Sequence, residues 1–281
     1  MPPRNTPTAR QARLGAELRK LRERAGKTAR EAAALLGTDQ AKISMVEAGR
    51  RGIGEDRIRR LATFYSCSDE ALVTALCVIA REHRGQFWWD EYRGILPTAF
   101  LDVAELEHHA AYLRTLHMLV VPGVFQTHDY ARAIFGSGLP SDELEARIEI
   151  RTRRGQIFER ADPPTYEAIV HEAALRMRYG GRKAARAQLE HLLKVTDWPS
   201  VTLRVIPFAV EEITGHAQPM LYAGSEVPQL DTVQIDTPFG GRFVDAEAQL
   251  AKYRNLLDEV EGIALDATKS RDLISQVAQE M

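Results

Sequence analysis

Residues 28–51 constrain the fold of this chain more than any other segment, because they fit two short helices joined by a tight turn. Thr28 and Glu31 form a capping box, in which a hydroxyl stands at the N-cap and a carboxylate at the third helical position. An alanine- and leucine-rich run follows up to Leu36, and Gly37 breaks it. The pattern therefore predicts a short helix followed by a glycine turn.

The second helix of this segment is predicted to begin near Asp39 and to end at Gly49. Asp39 is a good N-cap residue, and Ile43 and Val46 are spaced to face a core. Two short helices separated by a turn that contains glycine are typical of a helix-turn-helix, whose second helix fits the major groove of DNA.

Three further helices are predicted around this pair. Leucines recur at helical spacing from Leu14 to Leu21 in the first, a fourth helix follows the pair, and a fifth covers roughly residues 68–82. We therefore expect an all-α domain of five helices over residues 10–84. A disordered arm, rich in proline, is expected before it over residues 1–9.

This domain resembles the phage-repressor and xenobiotic-response-element family of regulators over about residues 10–82. The resemblance implies a five-helix domain that reads double-stranded DNA through its third helix. Arg22 and Glu47 match a pair that forms an internal salt bridge in that family, so we expect both to be structural. The most specific part of the match consists of Ile43, Ser44, Val46, Glu47 and Gly49.

The resemblance places base contacts at Gln40, Ala41 and Met45, on the exposed face of the third helix. Ser44 lies on the same face and is a further candidate for base contact. A glutamine can pair bidentately with adenine, and an alkyl group can touch the methyl group of thymine. Met45 stands where the family more often has a polar or basic residue.

Contacts to DNA phosphates are expected from a second set of residues. Lys42, Arg50 and Arg51 suit this role, which positions a protein on DNA without specifying the sequence. Arg30 and Thr28, at the start of the second helix, are further candidates because the N-terminus of a helix attracts phosphate.

The net charge of −2 conceals an uneven distribution of charged residues. Residues 1–66 contain 15 Lys and Arg against 7 Asp and Glu, whereas residues 67–281 contain 22 against 32. Charge asymmetry of this kind is typical of a chain in which one part binds nucleic acid. The acidic part is expected to remain available for another partner.

The composition changes near Arg84, and we place a domain boundary there. The second domain, residues 87–281, is predicted to be α+β with a mainly antiparallel sheet, because several strand candidates occur between helices. A helix is predicted from about Leu101 to Met118. The strand candidates cover residues 166–171, 201–207, 220–223 and 232–236.

Two clusters in the second domain have alternative interpretations. Phe87, Trp88, Trp89 and Tyr92 could line a ligand pocket or a partner surface, although packing at the domain junction is the favoured interpretation. Three arginines share one helix face and either pair with neighbouring glutamates, which is favoured, or form a second anion or partner site. These arginines are Arg147, Arg151 and Arg154.

The second domain resembles a C-terminal domain of actinobacterial helix-turn-helix regulators over about residues 87–275. That family includes antitoxin-like regulators that are often encoded beside a small partner protein. The resemblance implies transcriptional regulation controlled by such a partner, and groove spacing favours a homodimer. The matching segments include residues 106–110, 121–127, 130–133 and 206–208.

No pattern in the chain indicates catalysis, a metal site or a cofactor. His171 and Glu172 begin like a zinc-protease helix, but Leu175 replaces the second histidine. No apolar run is long enough to cross a membrane, so a cytoplasmic, nucleoid-associated protein is expected. A regulator that senses a small molecule through a pocket in the second domain is the alternative function.

Overall fold

A computed structural model describes residues 7–82, 87–136, 138–213, 218–237 and 240–281. The chain divides into two compact units, Met1–Glu91 and Tyr92–Met281. Most of the predicted arm and the boundary near Arg84 lie outside the described residues. Thr8 caps the first helix, which begins at Ala9.

The first unit contains the five predicted helices. Their apolar faces meet in one core, in which Leu18, Ile58 and Leu76 are almost completely buried. The helices are α1 (Ala9–Arg24), α2 (Ala29–Leu35), α3 (Gln40–Glu47), α4 (Glu55–Phe64) and α5 (Glu70–Arg81).

The second unit combines helices with a six-stranded sheet. The helices are α6 (Thr98–His109), α7 (His128–Phe135), α8 (Ser141–Arg154), α9 (Glu172–Arg176), α10 (Gly181–Val195), α11 (Glu247–Ile263) and α12 (Ala267–Glu280). The strands are β1 (Tyr112–His117), β2 (Thr165–His171), β3 (Val201–Ile206), β4 (Met220–Gly224), β5 (Thr232–Thr237) and β6 (Gly240–Val244). None of the described helices is long and apolar enough to cross a membrane.

The sheet is mixed, and the prediction of a mainly antiparallel sheet is wrong. The strand order is β3-β2-β1-β4-β5-β6. Pairs β1–β2 and β2–β3 are parallel, whereas β1–β4, β4–β5 and β5–β6 are antiparallel. Helices α7 and α8 connect β1 to β2, and α9 and α10 connect β2 to β3. Such crossovers return the chain to the same end of the sheet, which makes the paired strands parallel.

The predicted helix from Leu101 to Met118 is also wrong, because α6 ends at His109 and β1 follows at Tyr112. Strand β1 lies in the middle of the sheet, where it pairs with β2 on one side and β4 on the other. Leu113 and Leu116 are three residues apart, and this spacing also fits a helix, which explains the wrong prediction. Strand β6 was not predicted either.

Helices cover both faces of the sheet. On the first face, Leu113, Ala168 and Leu203 belong to a buried cluster that includes residues of α10 and α12. On the second face, Leu116 and Ile169 pack in a cluster with residues of α11. The alternation of β1 between the two clusters follows from the two-residue period of a strand.

Candidate nucleic-acid interface

The predicted capping box at the start of α2 is confirmed. The backbone N–H of Glu31 donates to Thr28 Oγ1 at 3.2 Å, and the backbone N–H of Thr28 donates to Glu31 Oε2 at 2.8 Å. Gly37 has φ +61° in the turn that follows, a conformation that glycine adopts without strain. These local interactions define where α2 begins and where the chain turns toward α3.

Asp39 caps α3 as predicted, since its carboxylate accepts a hydrogen bond from the backbone N–H of Lys42 at 2.8 Å. The same carboxylate forms an ion pair with Lys42 Nζ at 2.8 Å. The hydrogen bonds from the Lys42 side chain and backbone hold the pKa of Asp39 below its usual range. Asp39 and Lys42 are both exposed, so this interaction lies at the surface.

The outer side of α3 presents the residues predicted to contact bases. We call Gln40, Ala41, Lys42, Ser44 and Met45 the α3 face. Met45 is partly buried and the other four are exposed, whereas Ile43 and Val46 point into the core. The Ser44 hydroxyl donates to the Gln40 carbonyl oxygen at 3.1 Å. The assignment of base contacts to this face stays a prediction.

Two glycines allow the end of α3 to approach the backbone of α1 closely. A Cβ atom at Gly15 would lie 2.5 Å from the carbonyl oxygens of Val46 and Glu47. A Cβ atom at Gly49, whose φ is +69°, would lie 2.8 Å from Ala12 Cα. Contacts this short are not tolerated, so both positions require glycine. The orientation of α3 therefore depends on direct backbone packing against α1.

The expected salt bridge between Arg22 and Glu47 is confirmed. Arg22 donates from Nε and Nη2 to the two carboxylate oxygens at 2.6 and 2.9 Å, and from Nη1 to the Lys27 carbonyl oxygen at 2.8 Å. The two side chains are only 12% and 9% exposed. A bidentate pair of this kind fixes the end of α3 to α1 and is not available to DNA.

Three arginines lie within α2 or just after α3, and the closest acidic group acting on one of them is Asp39, which feels the charge of Arg51. In the described part of the chain, Arg30, Arg50 and Arg51 form no ion pair; Arg30 and Arg50 are exposed, and Arg51 is partly buried. On α1 and α4, Arg19 pairs with Glu23 and Arg59 pairs with Glu55. Other arginines of these two helices, Arg24, Arg57 and Arg60, also form no ion pair among the described residues. The positive charge of Arg50 and Arg51, which follow α3 directly in the chain, is therefore part of a wider set of unneutralised cations in the first unit.

Comparison with protein families gives a match in each of the two units. Residues 13–76 match a helix-turn-helix domain, which contains the α2–α3 pair and indicates a DNA-binding regulator. Residues 100–276, more than half of the chain, match the family described as Domain of unknown function (DUF5753). The chain belongs to the DUF5753 family. No curated protein and no solved structure matches it.

Among the aromatic residues that precede the DUF5753 match, Trp89 and Tyr92 are buried, and Phe87 and Trp88 are partly buried. Phe87 stacks on Trp89 with ring centroids 4.6 Å apart, and Trp88 meets Trp89 edge-on at 5.5 Å. Tyr92 is buried, and its hydroxyl accepts a hydrogen bond from Arg153 at 3.3 Å. None of the four lines the cavity of ≈ 710 Å³ in the DUF5753 domain. Their assignment to a partner or ligand site stays a prediction.

Sequence reasoning missed Gly15, although a weak signal exists. Ala12 and Gly15 are small residues one turn apart on a helix that is otherwise rich in leucine and arginine, which is typical of a close helix contact. Among the residues that the structure describes, no group of three or more His, Cys, Asp or Glu side chains is placed to hold a metal ion.

Proposed function

We propose that this protein is a sequence-specific transcriptional regulator that inserts α3 into the major groove of its operator. The observation that carries the proposal is the α3 face, which is largely exposed and is followed in the chain by Arg50 and Arg51, two cations that form no ion pair among the described residues. Polar and alkyl side chains on that face suit base edges, and arginines beside it suit phosphates.

Within this proposal, the contacts divide into two groups. Gln40, Ala41, Ser44 and Met45 contact bases, while Arg50, Arg51 and Lys42 contact phosphates on one side of the groove. The N-terminus of α2, with Thr28 and Arg30, contacts a further phosphate through backbone N–H groups and charge. The ammonium group of Lys42 pairs with Asp39, so it contacts a phosphate only by leaving that carboxylate or by binding both groups at once.

We further propose that the protein acts in the cytoplasm, at the nucleoid, as a homodimer of the xenobiotic-response-element type. A helix-turn-helix dimer reads two half-sites one helical turn apart, which supports this arrangement. The DUF5753 domain would then supply the dimer contact and bind a small, antitoxin-like partner protein, rather than catalyse a reaction. The resemblance to actinobacterial regulators and the acidic charge of residues 67–281 support this role.

The test begins with selection of binding sites from random duplex DNA by the full-length protein. Arg50→Ala should weaken binding to every selected sequence and lower the slope of log K against log salt by about 1, because one phosphate contact is lost. Gln40→Ala should instead relax the preference at one base pair, by about 1–3 kcal/mol. Fluorescence anisotropy measures both effects.

Arg19→Ala is the matched control, because Arg19 is exposed on α1 and paired with Glu23. It should leave both affinity and base preference unchanged. If Arg50→Ala and Gln40→Ala behave like Arg19→Ala, α3 does not enter the groove and the proposal fails.

A further inference from the structure

The DUF5753 domain contains a cavity of ≈ 710 Å³ whose lining residues all belong to the second unit. Helices α6 and α8 contribute one wall, and the first face of the sheet contributes the other. Thr115 on β1 is the register partner of Leu221 on β4, which in turn is the partner of Gln234 on β5. These three side chains line the cavity together with His117 and Asp236, which lie two residues further along β1 and β5.

Three arginines on one side of α8 point toward this cavity. Two of them have acidic partners: Arg154 donates to both carboxylate oxygens of Glu107 at 2.6 Å, and Arg147 pairs with Glu143 at 2.5 Å. The favoured sequence interpretation, pairing with nearby glutamates of the same helix, is thus confirmed for Arg147. Arg154 instead pairs with a buried glutamate of α6.

Arg151, between the other two, has no acidic partner among the residues that the structure describes. Its Nη1 donates to Gln126 Oε1 at 2.8 Å, and the ring of Phe135 lies 4.1 Å from its Cζ. Its Nε is buried and makes no hydrogen bond within the described chain. Burial, with the nearby charge of Arg154, lowers the pKa of Arg151 to about 9.

An enclosed arginine without a counterion is costly, because its charge has lost water and gained no carboxylate. The carboxylates of Asp236 and Glu107 offset this cost only in part, because they act on Arg151 without forming an ion pair with it in the described chain. Asp236 accepts a hydrogen bond from Gln234 at 2.6 Å, and Glu107 is engaged by Arg154. Burial lowers the pKa of His117 to about 4, so it is neutral near pH 7 and its buried Nδ1 has no partner in the described residues.

Arg147 and Arg154 each form an ion pair, so the charge of Arg151 is the one at this cavity that has no ion pair among the described residues. Most of its other walls are apolar, with Phe100, Val103, Ile134 and Leu221 among the lining residues. A pocket with one unsatisfied cation and apolar walls is complementary to a molecule that has an anionic head and an apolar body.

We propose that this cavity binds a small organic acid whose carboxylate pairs with Arg151 and whose apolar part lies against Phe100, Val103 and Ile134. The planar guanidinium group matches a carboxylate, and the unused Nε supplies a donor for it. Binding would give Arg151 the ion pair that it lacks among the described residues. The inference does not depend on the proposed DNA contacts, because it concerns the second unit alone.

The experiment uses the full-length protein and three carboxylates, phenylacetate, indole-3-acetate and octanoate, each compared with its neutral primary amide. At a concentration about ten times its Kd, a binding acid should raise the melting temperature by roughly 3 °C. The amide should have no effect. Titration calorimetry gives the affinity, and inorganic phosphate tests whether a headgroup alone is sufficient.

Arg151→Gln should weaken acid binding at least tenfold, and Arg151→Lys should retain part of it because the charge remains. Arg182→Gln is the control, since Arg182 is exposed on α10 and does not line the cavity. Without acid, Arg151→Met should melt no lower than the native protein, because it removes a buried charge that has no ion pair among the described residues. An arginine with a purely structural role would give a lower melting temperature.

The proposal is overturned if none of the three acids binds at millimolar concentration, or if the amides bind equally well. Stronger binding of phosphate than of any acid overturns the assignment to an organic acid. Loss of binding in Arg182→Gln would place the site elsewhere. A separate measurement of DNA affinity with and without the acid distinguishes failure of this inference from failure of the proposed function.

Discussion

Asp39 places a negative charge on the surface that we propose to face DNA, and it has two separate interactions there. It caps α3 through the backbone N–H of Lys42 and pairs with the side chain of the same lysine. The cap is worth about 1 kcal/mol, whereas an exposed ion pair contributes between about 0 and 1 kcal/mol. The carboxylate therefore stabilises the helix while opposing the approach of phosphate.

These two effects can be separated by substitution at Asp39. Asp39→Asn retains a capping oxygen but removes the charge, so it should tighten DNA binding by about fivefold, equivalent to about 1 kcal/mol. Its stability should change by less than about 0.5 kcal/mol, because asparagine is an equally good N-cap. Asp39→Ala should lose about 1 kcal/mol of stability. Fluorescence anisotropy measures the DNA affinity, and thermal unfolding measures the stability. Unchanged DNA affinity in both variants would exclude Lys42 as a phosphate contact.

At the residue scale, what the sequence could predict depended on how far apart the interacting groups are along the chain. The caps at Thr28 and Asp39 involve neighbours three residues away, so their chemistry is visible locally. The Arg22–Glu47 pair spans 25 residues and was expected only through the family resemblance. Arg151 bonds to Gln126 and forms no ion pair in the described fold, and spacing along α8 does not reveal either fact.

At the scale of elements, α3 is held by backbone packing that only glycine permits. Gly15→Ala would place a methyl group against the carbonyl oxygens of Val46 and Glu47, and we expect it to destabilise the protein by about 2–3 kcal/mol. DNA affinity should fall as well, because α3 must shift to relieve the clash. Denaturant unfolding and anisotropy on the same variant measure both.

Gly54→Ala is the control for this prediction. A Cβ atom at Gly54, the N-cap of α4, would meet no atom within 4 Å. Its cost should stay below about 1 kcal/mol, and it should leave DNA binding unaffected. Equal behaviour of the two alanine variants would show that α1 and α3 are not in close contact.

The elements that were mispredicted are those defined by long-range pairing. The five helices of the first unit have local caps and apolar spacing, and they were predicted. Strand β1 has leucines that also fit a helix, and its identity comes from pairing Leu113 with Tyr166 and Ala223, far along the chain. Of the two parallel pairs, β1–β2 could not be expected once residues 112–117 were predicted to be helical, whereas β2–β3 joins two strands that were predicted.

At the scale of the whole molecule, the charge distribution predicts a binding reaction that depends strongly on salt, despite the net charge of −2. Four proposed phosphate contacts come from side chains with positive charge: Arg30, Lys42, Arg50 and Arg51. Each contact contributes about −0.9 to the slope of log K against log salt, so the slope should be about −4 for one bound domain and about −7 for a dimer. Anisotropy at four or more salt concentrations distinguishes these values.

The matched control removes positive charge from the other unit. Arg182 and Lys183 are exposed on α10, and replacing both with glutamine makes the acidic part of the chain more acidic still. The slope should remain unchanged, because neither residue contacts phosphate in the proposed complex. A slope near zero in the native protein, or one that falls in this control, would contradict the assignment of DNA binding to the first unit.

The contact between α1 and α3 also bears on how such a protein can diverge. Helix α3 is held in place by backbone packing at Gly15 and Gly49 and by the buried side chains of Ile43 and Val46. The residues of the α3 face therefore contribute little to the stability of the fold. A duplicated copy of this gene could therefore exchange Gln40, Ala41 and Met45 for other side chains without first losing its fold. Acquiring a new operator would then require few mutational steps, each passing through a folded protein.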